Sequence, residues 1–267
     1  MDGRFAIAFE SAQGDYSRMK RFCFTAVSLL VVPVTILVAG PAGNGECIRT
    51  PKGDITIHII NHATFALGWS NLTIYVDPVG PQARFAHLAK PDLVLITDIH
   101  ADHLSVDTIR EIITDKTLFV VPPAVAEQLA QPLCQRSTVM TNGQAATVLG
   151  IKIEAVPMYN TTRQRLQYHP KGRGNGYVLT LADTRIYISG DTEDIPEMRA
   201  LKDIDIAFVC MNLPYTMTVE QAASAVREFK PRIVYPYHCR GSDLEKFKAL
   251  VGTDLGIDVR LRDWYNK

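Results

Sequence analysis

Closely paired cysteines are missing from this chain of 267 residues. Cys23, Cys47, Cys134, Cys210 and Cys239 show none of the short spacings of a zinc finger, and five are too few for a disulfide scaffold, which leaves room for one or two bridges at most. An excess of one charge is missing too. The 28 Lys+Arg balance 28 Asp+Glu, so nothing in the charge asks for nucleic acid or an anionic membrane surface as partner. From residue 52 onward there is no low-complexity linker and no internal repeat. No serine stands in a Gly-x-Ser-x-Gly turn, so a serine triad is not indicated. What is present, 47% hydrophobic and 21% charged residues, is an ordinary globular composition with enough apolar material for a large core.

The long apolar run lies near the N-terminus. Arg18, Lys20 and Arg21 precede an uncharged stretch from Phe22 to Ala39, and small residues follow as far as Gly45. That order is a basic region, an apolar region and a loose cleavage region, and it predicts a secretory signal and export to the periplasm or beyond. Met19 is a more typical start for it than Met1, because Asp2, Glu10 and Asp15 are unlike a basic leader. The same stretch, with Pro33 inside it, also reaches the edge of what spans a bilayer, so an uncleaved anchor is the alternative. Residues 1–45 are therefore expected to be an extension carrying the signal or anchor, and residues 46–267 one domain. Membrane contact is expected only through the extension.

Beyond residue 52 the pattern alternates strand and helix. Ile55–Ile60, Thr64–Leu67 and Leu72–Val76 are short β-branched and aromatic runs broken by Asn61-His62 and Ser70-Asn71, which predicts an antiparallel meander. Further strands are predicted at Leu93–Ile96, Leu118–Val121, Ile151–Val156, Tyr177–Leu181, Arg185–Ile188, Ile206–Val209 and Ile233–Tyr235. Ser105 caps a helix whose apolar face is Val106, Ile109, Ile112 and Ile113. Thr218 and Gln221 make a capping-box pattern before Ala222, Ala223, Val226 and Phe229, and that helix should stop near Lys230-Pro231. Sheets flanked by helices in both halves predict a layered α/β domain.

The chemistry concentrates in Thr97-Asp98-Ile99-His100-Ala101-Asp102-His103-Leu104, directly after an apolar strand. Imidazole nitrogen and carboxylate oxygen together suit zinc, manganese or iron, and a turn at a strand end aims several side chains at one point. Asp191, after Ser189-Gly190, and His238, after Ile233–Tyr237, end later strands in the same way. Taken singly, Asp191 reads as a turn or cap residue and His238 as a hydrogen-bonded strand-end histidine. Together with His100, Asp102 and His103 they supply a coordination shell, because ligands distant in sequence converge when each ends a neighbouring strand.

These residues resemble the metallo-β-lactamase superfamily of metal-dependent hydrolases, whose pattern is His-x-His-x-Asp-His, a further histidine, an aspartate after Gly-Asp-Thr, and a final histidine. The likeness runs from about Thr56 to Trp264. It is nearest to the branch of ascorbate-6-phosphate lactonase-like and uncharacterised bacterial and archaeal hydrolases, through Ala155–Asn160, His169–Tyr177, Ser189–Thr192 and Tyr215–Met217. The resemblance implies an α/β fold, a four-layered αβ/βα sandwich. It also implies that Asp102, His103 and His238 hold one metal, that Asp191 bridges, and that His100 serves a second. The chain departs from the pattern at Asp98, which stands in place of histidine and hardens the site toward oxygen-loving metals such as manganese. Asn160 falls where many members carry the third histidine. His169 is either a substitute ligand or an ordinary loop histidine.

The expected chemistry is hydrolysis with one or two divalent ions, zinc first and manganese or iron as alternatives. A bound water with its pKa lowered toward roughly 7 would attack a lactone, ester, amide or phosphodiester, with Asp102 orienting it or taking its proton. Asp77 is placed behind a ligand histidine, or in a turn cap. Lys171 and Arg173, in a glycine-rich run, and Tyr159 and Tyr215 are candidates for binding a small-molecule substrate, although basic residues among glycines also write an exposed loop. Cys239 is expected to be buried and structural, since a strand end turns it away from His238. The alternative function is metal binding or sensing, with the first site degenerate and hydrolysis lost.

Overall fold

The computed structural model describes residues 45–265, so the signal or anchor segment expected before residue 45 lies outside the described residues. Within them no helix is long and apolar enough to cross a membrane. The strands of the first sheet are β1 (Glu46–Ile48), β2 (Ile55–Asn61), β3 (Thr64–Trp69), β4 (Leu72–Val76), β5 (Leu93–Leu95), β6 (Leu118–Val121) and β7 (Ser137–Val139), paired in sequence order. Helix α1 (Val106–Ile112) leaves the end of β5, and the short helices α2 (Pro123–Ala126) and α3 (Gln131–Cys134) lie between β6 and β7. The second sheet runs β14-β13-β12-β11-β10-β9-β8. Its strands are β8 (Ala145–Val148), β9 (Ile151–Met158), β10 (Gly174–Leu181), β11 (Thr184–Ile188), β12 (Ile206–Cys210), β13 (Ile233–Tyr237) and β14 (Asp258–Val259). Helices α4 (Pro196–Arg199), α5 (Val219–Phe229) and α6 (Leu244–Val251) belong to this half.

Each sheet begins as an antiparallel meander and becomes parallel part-way, at the β4/β5 pair in the first and the β11/β12 pair in the second. Strand alternation explains the layering. Ile74, Val76, Leu93, Leu95 and Val120 point between the sheets, whereas Tyr75, Val94, Ile96, Phe119 and Val121 point outward to Ile109 and Ile112 of α1. Phe65 and Phe208 stack across the sandwich with centroids 4.2 Å apart. On the far face Phe229 of α5 meets Tyr187 of β11 edge-on at 5.9 Å. The result is helix, sheet, sheet, helix, the four-layered α/β sandwich expected.

Both anticipated caps are present. Ser105 accepts from the Thr108 N–H, and Thr218 and Gln221 form the reciprocal capping box. Helix α5 stops at Lys230, whose φ of 49° is left-handed, just before Pro231. Cys47, Cys134, Cys210 and Cys239 are all free thiols, and Cys239 is buried.

Candidate metal centre

Five chain segments bring the candidate ligands to one end of the sandwich, at the carboxyl ends of their strands. His62 follows β2, Asp77 follows β4, the Asp98–His103 turn follows β5, Asp191 follows β11 and His238 follows β13. His62, Asp77 and His238 have φ values of 53°, 43° and 43°, a left-handed backbone that L-residues rarely adopt. Gly190, at φ 61°, turns the chain just before Asp191, and a side chain there would strike Met158.

Asp191 is the buried centre. Its Oδ2 lies 3.4 Å from His103 Nε2 and 3.2 Å from His169 Nε2, and its Oδ1 lies 3.4 Å from His238 Nε2. His238 Nε2 is also 3.2 Å from Asp102 Oδ2, and His62 Nε2 is 3.3 Å from the same oxygen. The His62 and His238 rings lie 3.8 Å apart between centroids. Two groups, His62–Asp102–His238 and His103–Asp191–His238, each hold their ligand atoms within 4.8 Å of one another, and so does a third, Asp98–His100–His169.

The nitrogens aimed inward are set from behind. His103 Nδ1 lies 2.8 Å from Asp77 Oδ2, which also accepts from Thr97 Oγ1 at 2.7 Å, while Thr97 N donates to Asp77 Oδ1 at 2.8 Å. Holding the Nδ1 proton against this carboxylate makes Nε2 the nitrogen that faces the centre. His169 Nδ1 lies 3.2 Å from the Tyr215 carbonyl, with the same effect. The loop bearing His169 has no regular structure and is held by Glu193, whose Oε2 accepts from the Thr161 and Thr162 backbone at 2.7 and 2.6 Å and whose Oε1 accepts from Arg165 at 2.6 Å. The Asn160 amide nitrogen meets the outer side of His169, 3.3 Å from Nδ1, and donates to the carbonyls of Arg165 and Tyr215 at 2.9 and 2.7 Å. Between the two candidates for the third histidine's place, the geometry brings His169 to the centre and gives Asn160 to the loop.

Burial alone would raise the Asp191 and Asp102 carboxyls, but the surrounding histidines outweigh it. His238 and His103 hold Asp191 well below the usual carboxylate range, and hydrogen bonds from His238 and His62 hold Asp102 below it. Burial by itself would lower His103, but the charges of Asp191 and Asp77 raise it well above an ordinary imidazole. His62 is lowered by burial, which its bond to Asp102 only partly offsets. His103 Nε2, His169 Nε2 and Asp191 Oδ1 are buried and have no hydrogen-bond partner. Two imidazole nitrogens and a carboxylate oxygen, in ion-pair contact with neighbouring side chains but without hydrogen bonds, suit a cation, since buried polar atoms without hydrogen bonds are otherwise costly.

This arrangement agrees with family comparison, in which residues 56–238 match the Beta-lactamase superfamily domain. The chain belongs to that superfamily. A UPF0173 metal-dependent hydrolase of Thermococcus onnurineus is 31% identical over 212 residues, spanning 74% of this chain and 92% of the relative. Another, of Pyrococcus abyssi, is 30% identical over 224 residues, spanning 77% and 96%. Among solved structures, a candidate metal-dependent hydrolase of Parabacteroides distasonis is 42% identical with a TM-score of 0.76, covering 83% of this chain and 99% of that one. The protein is accordingly a metal-dependent hydrolase of this superfamily, its subclass open.

Beside the metal centre of this superfamily member lies a cavity of about 790 Å3, lined by His62, His100, Asp102, His169, Asp191 and His238. Its lining also includes Tyr168, Asn212, Leu213, Pro214, Tyr215 and Arg240. Of the four residues expected to meet substrate, Tyr215 lines the cavity and Lys171, Arg173 and Tyr159 do not. Lys171 pairs with Glu197 at 2.8 Å, and the Tyr159 hydroxyl donates to the same side chain at 2.9 Å. Arg173 is bound to Asp98 at 2.7 Å. Of the glycines around Arg173, Gly172 is exposed as in a solvated loop, but Gly174 and Gly176 are buried. Gly174 opens β10 against the Thr97 carbonyl, which a Cβ there would approach to 2.7 Å. His62 and Arg240 were not anticipated. Asn61-His62 carries the signal of a strand break, and only the backbone bonds His238 N to His62 O and His62 N to Trp264 O, both 3.2 Å, bring it to Asp102.

Proposed function

We propose that the chain hydrolyses a small ester-like substrate, a lactone, ester, amide or phosphodiester, with a divalent ion held by Asp102, His103, Asp191 and His238, flanked by His62 and His169. The observation that carries this is the set of buried atoms without hydrogen bonds, His103 Nε2, His169 Nε2 and Asp191 Oδ1, facing one point beside the cavity. When bound, such an ion polarises the substrate oxygen and brings a water's pKa toward neutrality. Asp102 is the more exposed of the two carboxylates that line the cavity, with 47% of its side chain exposed against 4% for Asp191. Kept anionic by His62 and His238, it is placed to accept the proton of an attacking water at Oδ2. Tyr168 and Tyr215, with ring centroids 5.1 Å apart, and Leu213 form an apolar wall for the body of the substrate. Arg240 has no carboxylate partner among the described residues and stacks over Tyr265 at 4.9 Å, which leaves its guanidinium to meet an anionic group of the substrate. The cavity volume lies within the roughly 300–1,000 Å3 usual for small-molecule sites.

The test is a set of two variants assayed against a panel of lactones, esters, amides and phosphodiesters. Asp102→Ala and His238→Ala are expected to lose bound metal and turnover together, by more than the about 10–100-fold typical of losing an outer partner, while circular dichroism stays native. Unchanged turnover in either variant would sink the assignment.

A further inference from the structure

The Asp98–His100–His169 group has the spacing of a second metal site, but it already contains a cation. Arg173 grips Asp98 with two parallel bonds, Nε to Oδ1 at 3.0 Å and Nη2 to Oδ2 at 2.7 Å. Asp98 is fully buried and Oδ1 accepts a further bond, from Ile99 N at 2.8 Å. Both nitrogens of His100 are engaged by the pair, Nδ1 lying 3.1 Å from Asp98 Oδ2 and Nε2 3.1 Å from Arg173 Nη2. A divalent ion sits about 2.0–2.1 Å from a histidine nitrogen. One on Nε2 would lie against the guanidinium, and one on Nδ1 would share Asp98 Oδ2 with it. Nη2 is fixed a second time by the Tyr168 carbonyl, and the next residue, Gly174, lies close against the Thr97 carbonyl, so the guanidinium is tied at both Asp98 and Tyr168.

Charge divides the two halves of the centre. Asp98 is the single carboxylate of its group and Arg173 neutralises it, leaving two histidines and no net charge. Asp102 and Asp191, by contrast, have only histidines as ion-pair partners among the described residues. Two carboxylates without a lysine or arginine call for a divalent ion, and a pre-neutralised carboxylate does not.

We infer that the chain binds a single divalent ion, at the Asp102–His103–Asp191–His238 side, and that the Arg173 guanidinium stands permanently in the place of a second one. This rests on the metal-dependent reading above and adds the stoichiometry and the residue that sets it. Arg173 is thus a positioning residue. It holds the buried Asp98, and with it His100 of the cavity wall, and is not an anchor for substrate.

The experiment is a calorimetric titration of chelator-stripped full-length protein with zinc chloride, with bound zinc then counted by elemental mass spectrometry. Wild type is expected to take up one equivalent, and Asp98→Ala to keep it. Arg173→Ala, which frees Asp98 and His100, is expected to gain a second equivalent. Arg173→Lys, which keeps the charge should the alanine variant fail to fold, is expected to stay at one. Two equivalents in wild type, loss of the single equivalent in Asp98→Ala, or one equivalent in a folded Arg173→Ala would each overturn the inference. No zinc in wild type would instead remove the metal-dependent reading on which it stands.

Discussion

Asp77 does not line the cavity, yet it decides which nitrogen of His103 faces the centre. Its buried carboxylate takes the Nδ1 side and the Thr97 hydroxyl and amide together, so ring and strand end are fixed as a unit. Asp77→Asn keeps the size but presents an amide donor toward a nitrogen that needs an acceptor. Zinc affinity by competition with a chromophoric chelator is expected to fall about 10–100-fold, the range for outer partners of ligand histidines, and an unchanged affinity would show that His103 orients itself. Asp98, His100, Asp102, His103, Asp191 and His238 were legible as a cluster because strand-end turns with ligand side chains are visible in one dimension. His169 against Asn160 was not, because the choice depends on which way an irregular loop turns, and Glu193 and two backbone carbonyls settle that. Arg173 could be picked out by its charge but not by its partner, since Asp98 lies far away in the chain and meets it only when β10 begins against the end of β5.

At the scale of elements, the strands with clean alternation or unbroken apolar runs emerged close to their expected bounds. β10 begins earlier than its apolar run suggests, because Gly174 and Gly176 pair with β9 where a Cβ would not fit, with the buried Asn175 between them. The short edge strands β1, β7, β8 and β14 and the one-turn helices carry too few residues to show a period, so they were not legible. Residues 260–265, after β14, have no regular structure, yet they brace the centre. The Trp264 carbonyl accepts from His62 N at 3.2 Å, its indole donates to Pro236 O at 2.7 Å, and the Tyr265 hydroxyl lies 2.9 Å from His62 Nδ1. Trp264 is buried edge-on to Phe65 and Phe208. Trp264→Ala is expected to cost about 3–5 kcal/mol in urea unfolding. The His62 ring signals in NMR should broaden with it, whereas a loss of stability with those signals unchanged would mean that the segment packs without positioning the site.

Across the whole molecule, the first strand and the last residues are tied by charge. Glu46 accepts from Arg260 at 2.6 Å and from Arg262 Nε and Nη2, both at 2.9 Å. Burial by itself would raise the Glu46 carboxyl, but hydrogen bonds from Arg262 and Arg260 hold it below the ordinary 4.5. A carboxyl lowered in the folded state stabilises fully above its unfolded value and loses that contribution as the pH falls through the folded one. Melting temperature is therefore expected to drop more steeply below pH 4.5 in wild type than in Glu46→Gln, and parallel curves would show that the cluster adds nothing.

The left-handed backbone at His62, Asp77 and His238 carries a consequence for how this protein can be improved. Glycine would relieve each of those residues at no steric cost. A screen that rewards heat resistance and is blind to turnover would thus be drawn first to His62, whereas at Asp77 the bonds lost to Thr97 and His103 would outweigh the relief.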